Sequence, residues 1–282
     1  GDLDVVGHRS NMRKWLDQPI RGIVLCGSTG EAVYLDTAER TALVEASRDL
    51  VPEDRLLLVG TGVESTRGTI ALCAMAAERG ADAVLVQPPA FYKPVMDSAV
   101  LRDHFRAVAD ASPVPVIIYQ VPPRFSTVEV VSGLVVELSG HENIVGIKDS
   151  RGDLEAMGDL VRSCREGFQV LSGSGLGFFA ALEVGAVGGI LGVANVAPGL
   201  SGGVFDAVRS GNGPEAGRLQ ETLDPLHREI VAGKGVPGVK AALDHLGYRG
   251  GSPRPPLPRL PEAGRDRIRE LLDAAGLLGA AV

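Results

Sequence analysis

The sequence predicts an α/β fold organised around a parallel β-sheet. Three observations carry this: seven short runs rich in Val, Ile and Leu, helical patterns with start and stop signals between them, and strand-to-strand steps of about 20 to 35 residues, the rhythm of right-handed βαβ units. The strands are expected at Gly22–Cys26, Arg55–Gly60, Ala83–Gln87, Pro115–Tyr119, Ile144–Lys148, Gln169–Ser172 and Gly189–Val193. Each is almost continuously apolar, without strict alternation, which marks strands covered on both faces.

The helices follow from their caps. Asp36 and Glu39 have capping-box spacing ahead of Leu43, Val44 and Ala46, and Ser126 with Glu129 repeats it ahead of Val130, Leu134 and Leu138. Gly80 stands where a left-handed cap should close the helix containing Leu72–Arg79. After the last strand come only helices, at about Leu200–Ser210, Glu215–Val231, Pro237–Leu246 and Ala263–Ala275. Such a sheet is either open or closed. An open nucleotide-binding sheet predicts about six strands and a phosphate fingerprint after the first, whereas seven strands are one short of an eight-stranded barrel. The expected division is a catalytic barrel over residues 1–212 and a small C-terminal helical appendage over 213–282. Ser252–Pro261 reads as an extended linker before the last helix, or as a polyproline ligand.

Composition excludes several functions. The chain has 282 residues, 28 Lys and Arg against 35 Asp and Glu, a net charge of −7, and 45% hydrophobic residues. That is enough apolar material for a large core and too acidic a balance, without any basic stripe, for nucleic acid as the main partner. No apolar stretch reaches the ~20 residues of a membrane span. Gly1–Trp15 lacks the basic, apolar and small-residue order of a secretory signal, so a cytoplasmic location is expected. Cys26, Cys73 and Cys164 are odd in number and far apart, which predicts buried packing rather than disulfides or zinc. The five histidines lack metal-ligand spacing. No metal is expected.

In a closed parallel barrel the chemistry comes from the C-terminal ends of the strands. Four ends carry polar groups: Gly27-Ser28-Thr29-Gly30-Glu31, Tyr119 through Arg124, Lys148-Asp149-Ser150, and Ser172-Gly173-Ser174. Lys148 ends the buried run Ile144-Val145-Gly146-Ile147, where an ammonium is costly and its pKa falls. Such an amine attacks carbonyls and forms a Schiff base. The structural alternative is an ion pair with Asp149, although alternation along a strand points the two side chains apart. Tyr119 is either a core tyrosine or a proton carrier beside that amine. Ser28 and Thr29 offer hydroxyls and N–H groups suited to a carboxylate, or ordinary turn chemistry. Gly173-x-Gly175-x-Gly177 reads as a tight turn before a helix rather than a phosphate loop.

Together these features resemble the dihydrodipicolinate synthase / N-acetylneuraminate lyase family of class I aldolases over nearly the whole chain. The resemblance is carried by Gly27-Ser28-Thr29-Gly30-Glu31, by Tyr119 with Val121-Pro122, and by Gly146-Ile147-Lys148-Asp149-Ser150. It implies a (β/α)8 TIM barrel whose first strand lies ahead of Asp2-Leu3-Asp4, hence a native protein that begins upstream of Gly1. It implies an imine between Lys148 and pyruvate or another 2-oxo acid, Tyr119 as proton relay, Ser28 and Thr29 on the carboxylate, and Gly173 and Ile190 lining the pyruvate pocket. No metal or organic cofactor is implied.

Glu64-Ser65-Thr66, Ala81-Asp82-Ala83, Phe168-Gln169-Val170-Leu171, Gly235-Val236-Pro237-Gly238 and Gly247-Tyr248-Arg249-Gly250-Gly251 look most like the 4-hydroxy-2-oxoglutarate aldolase branch, which yields pyruvate and an aldehyde, glyoxylate. Arg124 falls where the synthases keep an arginine for the carboxylate of aspartate semialdehyde, and it suits an acidic second substrate. The synthases also take a tyrosine from a neighbouring subunit. Its aligned position here is Phe91, beside Tyr92, and Phe91 has no hydroxyl. The resemblance therefore implies a dimer or tetramer, with dihydrodipicolinate synthase as the first rival activity and a non-catalytic 2-oxo acid binding protein as the second.

Overall fold

The computed structural model describes residues 1–279. Seven strands, β1 (Gly22–Leu25), β2 (Leu56–Gly60), β3 (Ala83–Val86), β4 (Val116–Gln120), β5 (Ile144–Asp149), β6 (Gln169–Ser172) and β7 (Gly188–Gly189), form one sheet in sequence order, every neighbouring pair parallel. Helices α1 (Val5–Leu16), α2 (Thr37–Arg48), α3 (Thr66–Glu78), α4 (Ser98–Ala111), α5 (Ser132–Ser139), α6 (Leu154–Ser163), α7 (Phe178–Glu183) and α8 (Pro198–Arg209) precede, connect and follow them. The chain continues as α9 (Gly213–Leu226), a π-helical turn (His227–Ala232), α10 (Gly235–His245) and α11 (Glu262–Ala274). Residues 280–282, the end of the expected C-terminal segment, lie outside the described residues.

The sheet curls until its ends approach. The loop after β1 meets the segment after β7, where a Cβ on Gly192 would lie 3.2 Å from Thr29 Oγ1, and Trp15 Nε1 before β1 donates to Asn195 O at 3.0 Å. Leu58, Leu85, Ile117, Tyr119 and Val121 fill the inside of the curve with Val24, Val145, Leu171 and Ile190. The outer face, including Leu57, Val59, Val84, Ile118 and Ile147, packs on the helices.

β5 departs from regular alternation. Val116 pairs with Ile144, but Ile117 pairs with Gly146, so Val145 is an extra residue. Ile144 and Ile147 consequently both face the helices although three residues apart. The bulge returns Lys148 to register with Tyr119 on the inner face, where unbroken alternation from Ile144 would have aimed it outward. A side chain at Gly146 would run into Gln169 O of β6, so the bulge requires glycine there.

Local signals had mixed outcomes. The Asp36–Glu39 capping box is present, with Glu39 N–H on Asp36 Oδ1 at 2.8 Å and Asp36 N–H on Glu39 Oε2 at 3.1 Å. Gly80 has a left-handed φ of 85°. Ser126 and Glu129 do not cap a helix: Ser126 Oγ accepts from Val128 N–H, Glu129 pairs with Arg151, and α5 begins only at Ser132. The seventh strand is shorter than expected because the chain turns into a 3₁₀ helix at Gly192–Asn195, which carries the backbone toward the site. The helix expected over Glu215–Val231 is α9 followed by the π-helical turn, the change falling just after Pro225. α1 escaped the sequence reading because its surface is charged, with Asp4 capping it through Gly7 N–H at 2.8 Å. No helix among the described residues is long and apolar enough to cross a membrane.

Ser252–Pro261 is irregular, and Arg254 within it is tied down. Its guanidinium pairs with Glu39 and donates to Tyr34 O and Gly1 O, while its own N–H donates to Glu31 Oε1 at 2.6 Å. These contacts fit the linker reading rather than a free polyproline ligand.

Candidate active site

Ser28, Thr29, Tyr119, Arg124, Lys148 and Gly173 line one small cavity of about 50 Å³ at the C-terminal ends of the strands. Taking about 10 to 15 Å³ per water, that is room for a few non-hydrogen atoms. Ile190 does not line it: its N–H continues the ladder to Ser172 O at 2.8 Å, and its side chain packs in the apolar layer beneath.

Lys148 is 8% exposed, and among the described residues no carboxylate pairs with it. Its Nζ lies 4.0 Å from the centre of the Tyr119 ring. Burial pulls its pKa well below lysine's ordinary value, with the Tyr119 hydroxyl opposing part of the shift. Asp149 faces the other way, as alternation requires, and is held by Arg151 at 2.6 Å. The ion-pair alternative for Lys148 is therefore absent.

Tyr119 Oη lies 3.2 Å from Ser28 Oγ, joining the ends of β4 and β1 in one hydroxyl chain. The Ser28 loop is held in an unusual conformation. Cys26 and Glu31 bracket it with left-handed φ values of 52° and 57°, a region L-residues enter at a cost. Glu31 is fixed by Lys240 Nζ at 2.8 Å and by the Arg254 N–H. Arg124 is exposed at the mouth, its guanidinium 4.8 Å from the Phe125 ring centre. Phe91 and Tyr92 are 77% and 69% exposed and do not line this cavity.

Two polar lining residues, Ser150 and His227, were given no role in the sequence reading. Ser150 Oγ is buried without a hydrogen-bond partner, a donor left free for a bound acceptor. Gly173 is what admits it, since a Cβ there would collide with Ser150 Oγ. The unpartnered hydroxyl next to the lysine was legible in the order Lys148-Asp149-Ser150, where alternation returns Ser150 to the lysine's side. His227 had no such signal, because it arrives from the C-terminal helices.

His227 belongs to a polar face that grips the loop after β6. His227 Nδ1 accepts the Gly175 N–H at 3.2 Å, Asp224 Oδ1 the Gly177 N–H at 3.3 Å, and Gln220 Oε1 the Phe179 N–H at 2.9 Å. Gln220 Nε2 donates back to Gly175 O at 2.8 Å. The N–H groups that a phosphate would need are thus already satisfied within the chain. A larger cleft of about 630 Å³ lies on the other side of Tyr119, lined by Cys26, Arg40, Glu64 and Gln87. Arg40 spends its guanidinium on Leu35 O, Gly60 O and Ala32 O.

A parallel barrel-like sheet with a buried, carboxylate-free lysine and a hydroxyl chain at its C-terminal strand ends defines an enzyme of carbonyl chemistry. The chain belongs to the dihydrodipicolinate synthetase family, whose sequence model matches residues 1–275. It is 33% identical over 279 residues to a 4-hydroxy-tetrahydrodipicolinate synthase of Syntrophus aciditrophicus, covering 99% of this chain and 95% of that protein. It is 38% identical over 259 residues to a probable mitochondrial 4-hydroxy-2-oxoglutarate aldolase of Emericella nidulans, covering 90% and 84%. The dihydrodipicolinate synthase of Acinetobacter baumannii, solved with pyruvate, superposes with a TM-score of 0.93 at 30% identity, over 99% of this chain and 94% of that one. Family membership makes the chain an enzyme of the aldolase and lyase type, with both synthases and aldolases among its relatives.

Proposed function

We propose that the protein is a class I aldolase that reversibly cleaves 4-hydroxy-2-oxoglutarate or a related 2-oxo acid to pyruvate and an aldehyde through an imine on Lys148. The observation that carries this reading is the buried Lys148 amine, free of any carboxylate partner and set over Tyr119 in a cavity of hydroxyls. Desolvation lowers the amine's pKa and so favours its unprotonated, nucleophilic form.

In the proposed sequence the Nζ lone pair attacks C2 and water leaves from the carbinolamine, giving an iminium. Tyr119 takes the proton of the C4 hydroxyl, the C3–C4 bond breaks, and its electron pair enters the iminium as an enamine while the aldehyde departs. Proton return to C3 and hydrolysis of the imine release pyruvate and free lysine. The iminium is itself the electron sink, so the scheme calls for no metal or organic cofactor. Ser28 and Thr29 hold the C1 carboxylate, Ser28 passes protons on from Tyr119 over 3.2 Å, and Ser150 Oγ supplies one more donor. Gly173 keeps the wall open, and Ile190 supports the pocket from beneath.

Arg124 at the mouth supports an acidic far end of the substrate, and equally supports the second reading, 4-hydroxy-tetrahydrodipicolinate synthesis from pyruvate and aspartate semialdehyde. The exposed apolar side chains of Val33, Phe91, Tyr92 and Val95 support a homo-oligomer. Phe91 in place of a relay tyrosine favours the aldolase over the synthase.

Borohydride trapping with pyruvate, followed by mass mapping, is expected to place an adduct on Lys148, and an unmodified Lys148 in folded protein overturns the proposal. Glyoxylate release, measured beside condensation with aspartate semialdehyde, separates the two activities. Arg124→Ala is expected to raise KM about tenfold for the true substrate, the loss of one charged hydrogen bond. Saturable pyruvate binding with no turnover on any aldehyde would point to a binding protein instead.

A further inference from the structure

The C-terminal helices reach the cavity through His227, and the way the ring is held assigns it a task. His227 is 6% exposed and lines the same cavity as Lys148, Arg124 and Val231. Its Nδ1 is occupied as an acceptor by the Gly175 N–H, so the ring proton is placed on Nε2, 3.4 Å from Ser174 Oγ. Only the neutral ring satisfies both contacts, because a proton on Nδ1 would oppose the Gly175 N–H. Burial, and then the nearby Arg124 charge, hold its pKa down to about 4, against a smaller opposing effect of Asp224. The helix brings the ring there by changing its winding: just after Pro225, α9 gives way to the π-helical turn that begins at His227 and also delivers Val231 to the cavity.

Gln220 holds the same loop at Gly175 O and Phe179 N–H and Asp224 at Gly177 N–H, but among the described residues only His227 both holds the loop and borders the cavity. Pyruvate, with three carbons, is accounted for by Lys148 and the Ser28–Thr29 loop. The part of a longer substrate beyond C3 runs toward Arg124, and of the loop after β6 it is Gly173, just ahead of the two residues that His227 holds, that lines the cavity there beside His227 itself.

We propose that His227 is a positioning residue for the carbon–carbon step: through Gly175 and Ser174 it fixes the wall against which the part of the 2-oxo acid beyond C3 lies, and so governs acceptance of substrates longer than pyruvate. This rests on Lys148 as the imine-forming residue. The test compares wild type, His227→Leu and His227→Asn in two assays. Pyruvate with borohydride, together with exchange of the pyruvate methyl protons into D2O, reads imine and enamine formation. Cleavage of 4-hydroxy-2-oxoglutarate, or condensation with aspartate semialdehyde if that is the reaction the wild type performs, reads the complete cycle.

His227→Leu is expected to keep the Lys148 adduct and methyl exchange within about twofold, yet lose about tenfold in kcat/KM for the complete reaction, mainly through KM, as one buried N–H is left unpaired. His227→Asn, whose Oδ1 stands where Nδ1 stood, is expected to recover most of that loss. Equal damage to exchange and to the complete reaction, no effect on either, or failure of the Asn variant to recover overturns the proposal. Absence of a Lys148 adduct in the wild type overturns the imine reading itself, which the variants cannot mimic while that adduct persists.

Discussion

Lys148 lives in an environment that penalises its charge, and that penalty is measurable apart from catalysis. The folded state lowers its pKa, so between the lowered value and lysine's ordinary range the unfolded chain binds more protons than the folded one. Stability conferred by the rest of the chain is therefore opposed by Lys148 at low and neutral pH, and the opposition fades as pH rises into the ordinary range. Lys148→Met is expected to abolish borohydride trapping and to raise Tm near neutrality, with the gain shrinking toward high pH. A Tm lowered at every pH would show that the lysine is stabilised by its pocket. The residue scale was also where the sequence said most: Lys148, Tyr119, Ser28, Thr29, Arg124 and Gly173 were legible from strand ends and motif order, and they share one cavity. Ile190 was misplaced by one layer, because the shortness of β7 is not encoded in its apolar run.

At the level of elements, the lysine's direction depends on a defect. One extra residue, Val145, reverses the parity of β5 and turns Lys148 inward beside Tyr119. Gly146→Ala would press a methyl against Gln169 O. The expected outcome is a folded protein, by far-UV circular dichroism, in which the pyruvate adduct on Lys148 falls by about tenfold or more, the rate equivalent of roughly 1.4 kcal/mol of lost positioning. Full trapping in this variant would show that β5 keeps its aim without the bulge. Nothing in the run Ile144-Val145-Gly146-Ile147 announces the irregularity except the glycine. Periodicity located the strand, but register depends on the neighbours, β4 and β6. The Ser126–Glu129 spacing failed for a related reason: Arg151 at the end of β5 claims Glu129, a tertiary partner that no local pattern contains. The helices after β7 were legible as helices, yet their π-helical turn and their grip on the β6–α7 loop were not, since side chains more than forty residues apart meet there.

Across the whole molecule, buried histidines set the acid limit. Burial lowers both His104 and His227 to about 4, and His8 is lowered by burial as well. The unfolded chain takes up protons on His104 and His227 as pH falls through about 6.5, while the folded protein does not until about 4. The histidine contribution to stability is thus full above about pH 6.5 and is lost progressively down to about pH 4, by up to roughly 3 kcal/mol for each of His104 and His227. Tm measured across this range is expected to fall on acidification, and His104→Asn, which keeps a partner for Thr66 Oγ1 at the Nδ1 position, should flatten the slope. An unchanged slope would assign acid lability to carboxylates instead.

The ties made by Arg254 carry a consequence for the order in which the molecule assembles. They join residues 253, 223 and 215 positions apart, to Gly1, Glu31 and Glu39, among the longest-range contacts in the chain. Closing so long a loop costs conformational entropy that local helices and adjacent βα units never incur. During synthesis the strands can pair one after another as they emerge, but the Glu31 carboxylate, at the end of the strained turn bearing Ser28 and Thr29, meets its partners only when Lys240 and Arg254 have appeared. The turn bearing Ser28 and Thr29 therefore gains its Glu31 anchor only after all seven strands of the sheet have been translated.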